Sequence, residues 1–371
     1  MGMLELRNVD KVYGSRGKPP VHAVRALDMD VPSGEIVALL GSSGCGKTST
    51  LRMIAGFEEV TSGSIALGRR QIHRLPPAQR KVAMAFEGYS LYPPLTVREN
   101  IAFALKAQQL PRSEVTRRVD AIARLVEIDD ILDSYPRAIS GGQQQRVSLA
   151  RALVRDADLY LLDEPMGQLE PQLRAVLRGR IKGLLAERGM TAIFVTHDQA
   201  EASALADRIA VMEDGILQQF ASEKDLKNHP ANLFVASFIG EPPMNLLQAE
   251  VARNDGGFGL SVGPDLVFQI RGDTLDKAAQ KELEGSARLT VGIRPQKVAV
   301  GSGDVRLRVV SNQWLGDQSH IAGECAGKLL IAVTPQRIAA RPDDVVPFAM
   351  ESRHLHIFAG DGTCIHHAEA A

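Results

Sequence analysis

Cysteine, long apolar runs and a surplus of charge of either sign are all scarce in this chain of 371 residues. The three cysteines, Cys45, Cys325 and Cys364, are odd in number and far apart. That spacing argues against a disulfide framework, forms no metal-ligand pattern and reads as a chain of a reducing, cytosolic compartment. No uninterrupted apolar run approaches the roughly 20 residues that a membrane-crossing helix needs. Work at a membrane is therefore expected to pass through a partner. The opening "MGMLELRNVDKVYG" is charged almost at once, unlike a signal peptide. A formal net charge of −1 gives no reason to expect a nucleic-acid partner. The apolar share of 44% is ordinary for a globular chain, and the length suffices for two or three cores.

What is present is a rhythm of short elements. "LELRNV" and "LDMDV" alternate apolar and polar as period-two strands, and Ser33–Glu35 reads as a turn. "IVALLG" is apolar on both faces, as a strand inside a parallel sheet must be. A glycine-rich loop follows, and "TSTLRMIAGF" begins a helix. From about Gly88 to Arg155 apolar residues recur at helical spacing, which predicts a mostly helical insert parting two halves of one sheet. "ADLYLLDEP" and "MTAIFVTHD" are again buried strands, with the helical "LRAVLRGRIKGLLAERG" between them. Strand, helix, strand is the doubly wound α/β arrangement. Past "FVASFIGEPPMNLL" alternating strands and glycines replace it. The expected domains are therefore 1–240, α/β, and 241–371, all-β and barrel-like, with Pro242-Pro243 marking the hinge.

Gly41-x-x-x-x-Gly46-Lys47-Thr48 fits the phosphate-loop pattern. The backbone N–H groups of Ser42, Ser43, Gly44, Cys45 and Gly46 can curl around phosphate oxygens, because glycine presents no β-carbon to block them. The next helix points its positive end at the same oxygens, with Ser49 in its first turn. Lys47 supplies charge to the β- and γ-phosphates and the Thr48 hydroxyl is placed for Mg2+. Cys45 lies at that helix N-terminus, which predicts a lowered thiol pKa and an alkylation that blocks nucleotide. "LYLLDE" ends a strand in Asp163, a candidate Mg2+ ligand, and Glu164, a candidate general base for an attacking water. "SGGQQQRVSLARALVRD" places Ser140 as an N-cap, with Gly141, Gly142 and Gln143 opening a second helix. One nucleotide does not need two such cradles from one subunit. A dimer, in which this cradle covers the γ-phosphate held by the other subunit, is the economical solution.

"ISGGQ" ahead of "LYLLDEP" resembles the signature of ATP-binding cassette (ABC) ATPases, and the resemblance runs over the first 240 residues. It implies a P-loop NTPase fold with a helical subdomain at about 88–155, hydrolysing ATP with Mg2+. It makes Tyr13 the ring that stacks on adenine and His197 of "VTHD" the switch histidine at the γ-phosphate. It makes "FEGYSLYPPLTVREN" the loop that senses a transmembrane partner, with Glu87 beside Thr48 and Asp163 at the metal. "GEPPMNLL" followed by "VGIRPQKV" is similar to importer ATPases for maltose, related sugars or glycerol phosphate, whose appended all-β domain has oligonucleotide-binding-fold character. "PPMN" favours the carbohydrate branch over polyamine, sulfate or iron. The implied partners are integral-membrane permeases, a second ABC ATPase subunit and, indirectly, a solute-binding protein. The implied place is the cytoplasmic face of the cell membrane, as a peripheral subunit.

Two positions depart from the family pattern. Glu87 stands where the family has Gln, whose amide can donate a hydrogen bond that an ionised carboxylate cannot. Glu170 stands where Asp is usual. Both suit either drift with ordinary turnover or a weakened subunit paired with a sibling ATPase. A non-catalytic regulatory role is opposed by intact Lys47, Asp163, Glu164 and His197. A soluble ABC ATPase of translation or DNA repair is opposed by the single cassette and the modest insert. The barrel-like part lacks a basic stripe interleaved with aromatics, which argues against nucleic acid there. "RHLHIF" puts His354 and His356 on one strand face near Cys364, His366 and His367. A metal site is one reading of these residues, and an exposed strand with a frayed tail is the preferred one.

Overall fold

A computed structural model describes residues 2–15, 17–264 and 266–369. Contacts divide the chain between Glu223 and Lys224. The first unit runs β1 (Leu4–Ser15), β2 (Lys18–Val31), β3 (Ile36–Gly41), α1 (Lys47–Ala55), β4 (Ser62–Leu67), β5 (Arg70–Gln71) and β6 (Val82–Ala85). It continues through α2 (Val97–Phe103), α3 (Arg112–Leu125), α4 (Gly141–Leu153), β7 (Leu159–Asp163), α5 (Pro171–Glu187), β8 (Ala192–Thr196), α6 (Gln199–Leu205), β9 (Arg208–Glu213) and β10 (Ile216–Ala221).

Two sheets form this unit. One is antiparallel, in the order β2-β1-β4-β5; the other runs β10-β9-β3-β8-β7-β6 and is parallel except at β10. The runs "IVALLG", "LYLLD" and "AIFVT" are buried at every position, as the continuous apolar pattern requires. Helix α1 joins the two sheets in one core, where Leu51, Met53 and Ile54 pack with Leu4, Leu6 and Val24 and with Leu39 and Ile193. Buried Arg80 bonds the carbonyl oxygens of Met53 and Ile54 near the end of α1 at 2.6 and 3.0 Å. The helical insert does not part the sheet. It joins the edge strand β6 to its immediate neighbour β7, with Val82 beside Leu159.

The second unit opens with α7 (Glu223–Asn228) and α8 (Leu233–Phe238), followed by β11 (Asn245–Asn254), β12 (Gly257–Val262), β13 (Leu266–Arg271), α9 (Lys277–Gly285) and β14 (Arg288–Ile293). Then come β15 (Val298–Trp314), β16 (Ser319–Cys325), β17 (Lys328–Thr334), β18 (Val345–Met350), β19 (Leu355–Phe358) and β20 (Cys364–His366). Its two antiparallel sheets, β13-β12-β11-β14-β19-β20 and β17-β16-β15-β18, enclose one core that includes Phe258, Leu289, Ile321 and Phe348.

The short motifs of this unit have structural reasons. Buried Asn245 accepts from the Ile331 N–H at 2.7 Å and donates to the Ile331 carbonyl at 2.8 Å, stitching β11 to a strand of the other sheet. A β-carbon at Gly292 would lie 2.4 Å from Met244 Sδ and 2.9 Å from the Phe358 ring, so "PPMN" and "VGIRP" meet here and a larger residue would have to displace those side chains. The Arg294 guanidinium bonds the carbonyls of Lys227, Ala236 and Ile239, tying α7 and α8 to this unit, and burial lowers its pKa to about 10.

The tail differs from the preferred expectation. His354 lies in a 3₁₀ turn, Ser352–His354, rather than on a strand face shared with His356. Strand β19 is buried throughout, His356 is 2% exposed, and β20 pairs on it as the edge strand.

Replacing Asn245 by Leu leaves both backbone groups of Ile331 unpaired. It is expected to destabilise the second unit by about 2 kcal/mol. Urea unfolding followed through Trp314, the only tryptophan, which sits in β15, measures it. An unchanged midpoint would show that the stitch is dispensable.

Candidate nucleotide site

The site grows from the carboxyl ends of three adjacent parallel strands. Register places Leu40 of β3 beside Thr196 of β8, and Asp163 of β7 beside Val195. The phosphate loop, the Asp163-Glu164 pair and His197 therefore leave the sheet at one level, where open α/β sheets bind ligands.

The glycines of the loop are required for a reason partly different from the expected one. A β-carbon at Gly41 would fall 2.1 Å from the Met212 carbonyl oxygen, and one at Gly46 would fall 2.3 Å from that of Ala23. Neighbouring backbone, as much as any ligand, excludes side chains there. Gly46 also ends the loop with φ of 102° as the N-cap of α1. Lys47, largely buried, donates to the carbonyls of Gly41 and Ser42, both at 2.8 Å. The Ser42 hydroxyl donates to Glu213 at 2.5 Å, while Ser43 and Gly44 are exposed at the tip. The Tyr13 hydroxyl lies 3.1 Å from the Ser49 hydroxyl, and the Lys11 ammonium sits 4.6 Å from the centre of the Tyr13 ring.

The expectation for Cys45 is overturned. Its side chain is 2% exposed, and burial pushes the thiol up, outweighing the nearby Lys47 charge that would lower it. A shielded thiol with a raised pKa is a poor nucleophile, so rapid alkylation is not expected.

The Thr48 hydroxyl donates to Asp163 Oδ1 at 3.3 Å. Asp163 is buried, and its carboxyl is raised from 3.8 to about 6, chiefly by burial and then by the charge of Glu87, with Glu164 adding to it. Glu87 itself is exposed. Glu164 has φ of 45°, and its N–H donates to the Val195 carbonyl at 3.0 Å. Glu164 Oε1 lies 3.2 Å from His197 Nδ1. Asp198 caps α6 through the Glu201 N–H at 2.9 Å and pairs with Arg174 at 3.0 Å, which fixes the turn that carries His197.

The second cradle is built as expected at its cap. Ser140 Oγ accepts from the Gln143 N–H at 3.3 Å, and the Gln143 side chain returns a bond to the Ser140 N–H at 2.9 Å. Gly141 and Gly142 lie against Gln168. Among the described residues, no hydrogen bond joins Ser140–Gln143 to the phosphate loop.

Sequence reasoning missed two residues of α4 that organise the site. Gln145, 5% exposed, donates to the Glu164 carbonyl at 2.7 Å and accepts from the Gln168 N–H at 3.0 Å. Arg151 donates to the carbonyls of Tyr89 and Ser90 at 2.8 and 2.6 Å. One helix thus holds both the segment after the catalytic-base candidate and the loop that carries Glu87. A polar residue inside a helix otherwise packed on its apolar side was the available signal. Glu170, exposed, is the N-cap residue of α5 and makes no side-chain cap bond.

Comparison with known proteins places this geometry. Residues 24–167 match the ABC transporter family and residues 291–358 match the TOBE domain. The sn-glycerol-3-phosphate import ATP-binding protein UgpC of Cereibacter sphaeroides is 39% identical over 96% of this chain and 98% of its own. The diacetylchitobiose uptake system ATP-binding protein MsiK of Streptomyces coelicolor is 43% identical over 80% of this chain and 75% of its own. Among solved structures, a dimeric post-hydrolysis state of the ATP-binding cassette MJ0796, bound to ADP and Pi, superposes with a TM-score of 0.56 at 28% identity. It covers 59% of this chain and 98% of that one.

The raised carboxyl of Asp163 has a consequence for stability. Folding takes up a proton between about pH 4 and pH 6, so this contribution favours the folded state at the acid end and is lost as pH rises through 6. Without nucleotide or divalent cation, Asp163→Asn should exceed the parent in stability at pH 7 by on the order of 1–2 kcal/mol. The gap should close towards pH 4, as read by urea unfolding across that range. A variant less stable than the parent at pH 7 would remove the cost assigned to this buried charge.

Proposed function

The chain belongs to the ATP-binding subunits of ABC transporters and is an ATPase of that kind; from this premise we propose that it powers uptake of a carbohydrate-class solute, a sugar, polyol or glycerol phosphate, through membrane permease partners. The relatives named for glycerol phosphate and diacetylchitobiose import, both similar over three quarters or more of their length, support the solute class. The observation that carries the catalytic reading is the convergence of Thr48, Asp163, Glu164 and His197 at the ends of β3, β7 and β8.

In this reading the N–H groups of Ser42, Ser43, Gly44, Cys45 and Gly46 wrap the phosphates of ATP, with Ser49 beside them. Lys47 exchanges its two carbonyl partners for phosphate oxygens, and Tyr13 stacks on adenine. Glu164 accepts the proton of the water that attacks the γ-phosphorus. His197, within hydrogen-bonding reach of that carboxylate, orients it and touches the γ-phosphate. Ser140, Gly141, Gly142 and Gln143 cover the nucleotide held by a second ATPase subunit. A buried carboxyl burdened by two acidic neighbours, with a hydroxyl beside it, fits a divalent cation. Thr48, Asp163 and Glu87 would hold Mg2+, which when bound neutralises charge on the β- and γ-phosphates. The expected nucleotide-binding domain, 1–240, and regulatory or dimer-forming domain, 241–371, carry these roles with the compact units dividing earlier, between Glu223 and Lys224, because Arg294 holds α7 and α8 against the second unit. No helix among the described residues is long and apolar enough to cross a membrane. As a relative of import ATP-binding subunits, the protein in this reading works as a peripheral subunit on the cytoplasmic face.

A second reading is favoured by one observation: Glu87 puts an acidic charge where it raises the Asp163 carboxyl. This weakens the site when the cation is absent and suits a pair of unequal ATPase subunits. Assay of the purified chain alone separates the two. Brisk hydrolysis by a self-associating chain supports equal sites, and hydrolysis that requires a sibling subunit supports unequal ones. Glu164→Gln, which keeps shape and removes the base, should lower kcat by about 10²-fold or more with nucleotide affinity retained. Turnover near that of the parent would remove Glu164 from the role of base.

A further inference from the structure

We propose that His356, Cys364 and His367 form a binding site for a thiophilic d10 metal ion, with zinc as the ion to test, in the C-terminal unit. One ligand atom from each lies within 4.8 Å of the others. Cys364 Sγ is 3.3 Å from His367 Nδ1, and the rings of His356 and His367 are centred 5.8 Å apart. Zinc bonds of about 2.0–2.3 Å to nitrogen and sulfur set ligand atoms roughly 3.5 Å apart, so a contraction of about 1 Å closes the set. A fourth nitrogen is at hand. The ring of His229, just past α7, is centred 5.1 Å from that of His367.

The composition of the cluster selects the ion. Two imidazoles and a thiol, with no carboxylate among them, are a soft set that Mg2+ and Ca2+ avoid and that Zn2+ or Cu+ accepts. His356 is buried, while Cys364 and His367 are half-buried, which leaves a path for the ion. The cluster lies largely out of water, which favours neutral imidazole and thiol in the free protein. Ligation moves the thiol proton to solvent, and the resulting thiolate offsets one of the two zinc charges. That matters here, because the Arg294 guanidinium is close enough to disfavour positive charge on His356.

The site would pin the end of the chain. β20 is three residues long and lies at the sheet edge, with only Ile357 to His366 and Phe358 to Cys364 in register with β19. A metal shared by β19, β20 and the segment after α7 would cross-link these elements as a small disulfide-free clamp. No pattern of paired cysteines announces it, because the ligands come from two strands and a turn.

The full-length chain, stripped with chelator and dialysed against micromolar zinc, should retain about one zinc per chain by elemental analysis. Cobalt in its place should give a thiolate-to-cobalt charge-transfer band, which a phosphate-loop metal bound by oxygen cannot give. Cys364→Ser and His367→Gln, both at half-buried positions that tolerate change better than His356, should each weaken zinc binding at least tenfold and remove or shift the cobalt band. Cys325→Ser, a buried cysteine elsewhere in the unit, should leave both unchanged. A wild-type chain that retains no zinc, or a Cys364→Ser chain that binds as tightly as the parent, overturns the proposal.

Discussion

A carboxylate held out of water at the end of a parallel sheet is the constraint around which this protein is arranged. Asp163 sits at the last position of β7, against the first turn of α1, with Glu164 next in the chain and Glu87 close enough for its charge to be felt. So much negative charge in a poorly hydrated place is a liability in the free protein, and in the function proposed above it becomes what a divalent cation would neutralise. Lys47, the nearest strong cation of the loop, spends its hydrogen bonds on the loop carbonyls of Gly41 and Ser42 instead. The free site is therefore strained in charge but satisfied in hydrogen bonds.

The surrounding structure keeps that arrangement rigid. Gly41 and Gly46 press the loop against backbone of β9 and β2, so the loop cannot relax away from the sheet. Helix α4 fixes the other wall through Gln145, which reaches the backbone of Glu164 and Gln168, and through Arg151, which reaches that of Tyr89 and Ser90. The N-terminus of the same helix is the second cradle. A shift of α4 would thus move the base, the Glu87 loop and the cradle together, which is the mechanical link that a coupled ATPase needs.

The C-terminal unit follows other rules. Its two antiparallel sheets share one apolar core, and polar side chains close the seams. Asn245 acts as a piece of strand for Ile331, and Arg294 gathers the carbonyl ends of α7 and α8. Both are charged or polar groups whose burial is tolerated because backbone carbonyls and N–H groups replace most of the bonds they lose to water, Arg294 Nε alone of the guanidinium nitrogens lacking a partner among the described residues. The histidine and cysteine cluster at β19 and β20 differs in that its members also face one another, beside backbone bonds from Cys364 Sγ to the His366 carbonyl at 3.3 Å and from the Ala368 N–H to His356 Nδ1 at 3.4 Å.

Much of the first unit was legible in the chain. Continuous apolar runs at "IVALLG", "LYLLD" and "AIFVT" can only be strands buried on both faces, and the spacing of Gly41, Gly46, Lys47 and Thr48 permits one loop chemistry. Local sequence determines these because their information lies within a few residues. What the fold alone decided is what depends on neighbours distant in sequence. Its place at a helix N-terminus suggested a lowered Cys45 pKa, but burial pushes the thiol up. The glycines answer to carbonyls of Met212 and Ala23, and the importance of Gln145 exists only because α4 packs beside Glu164. The strand expected to be exposed, Leu355–Phe358, is buried because it pairs with β14, far earlier in the chain, and the tail expected to fray adds to it as the half-buried edge strand β20. Desolvation and close approach are properties of the assembled interior, so no stretch of sequence carries them by itself.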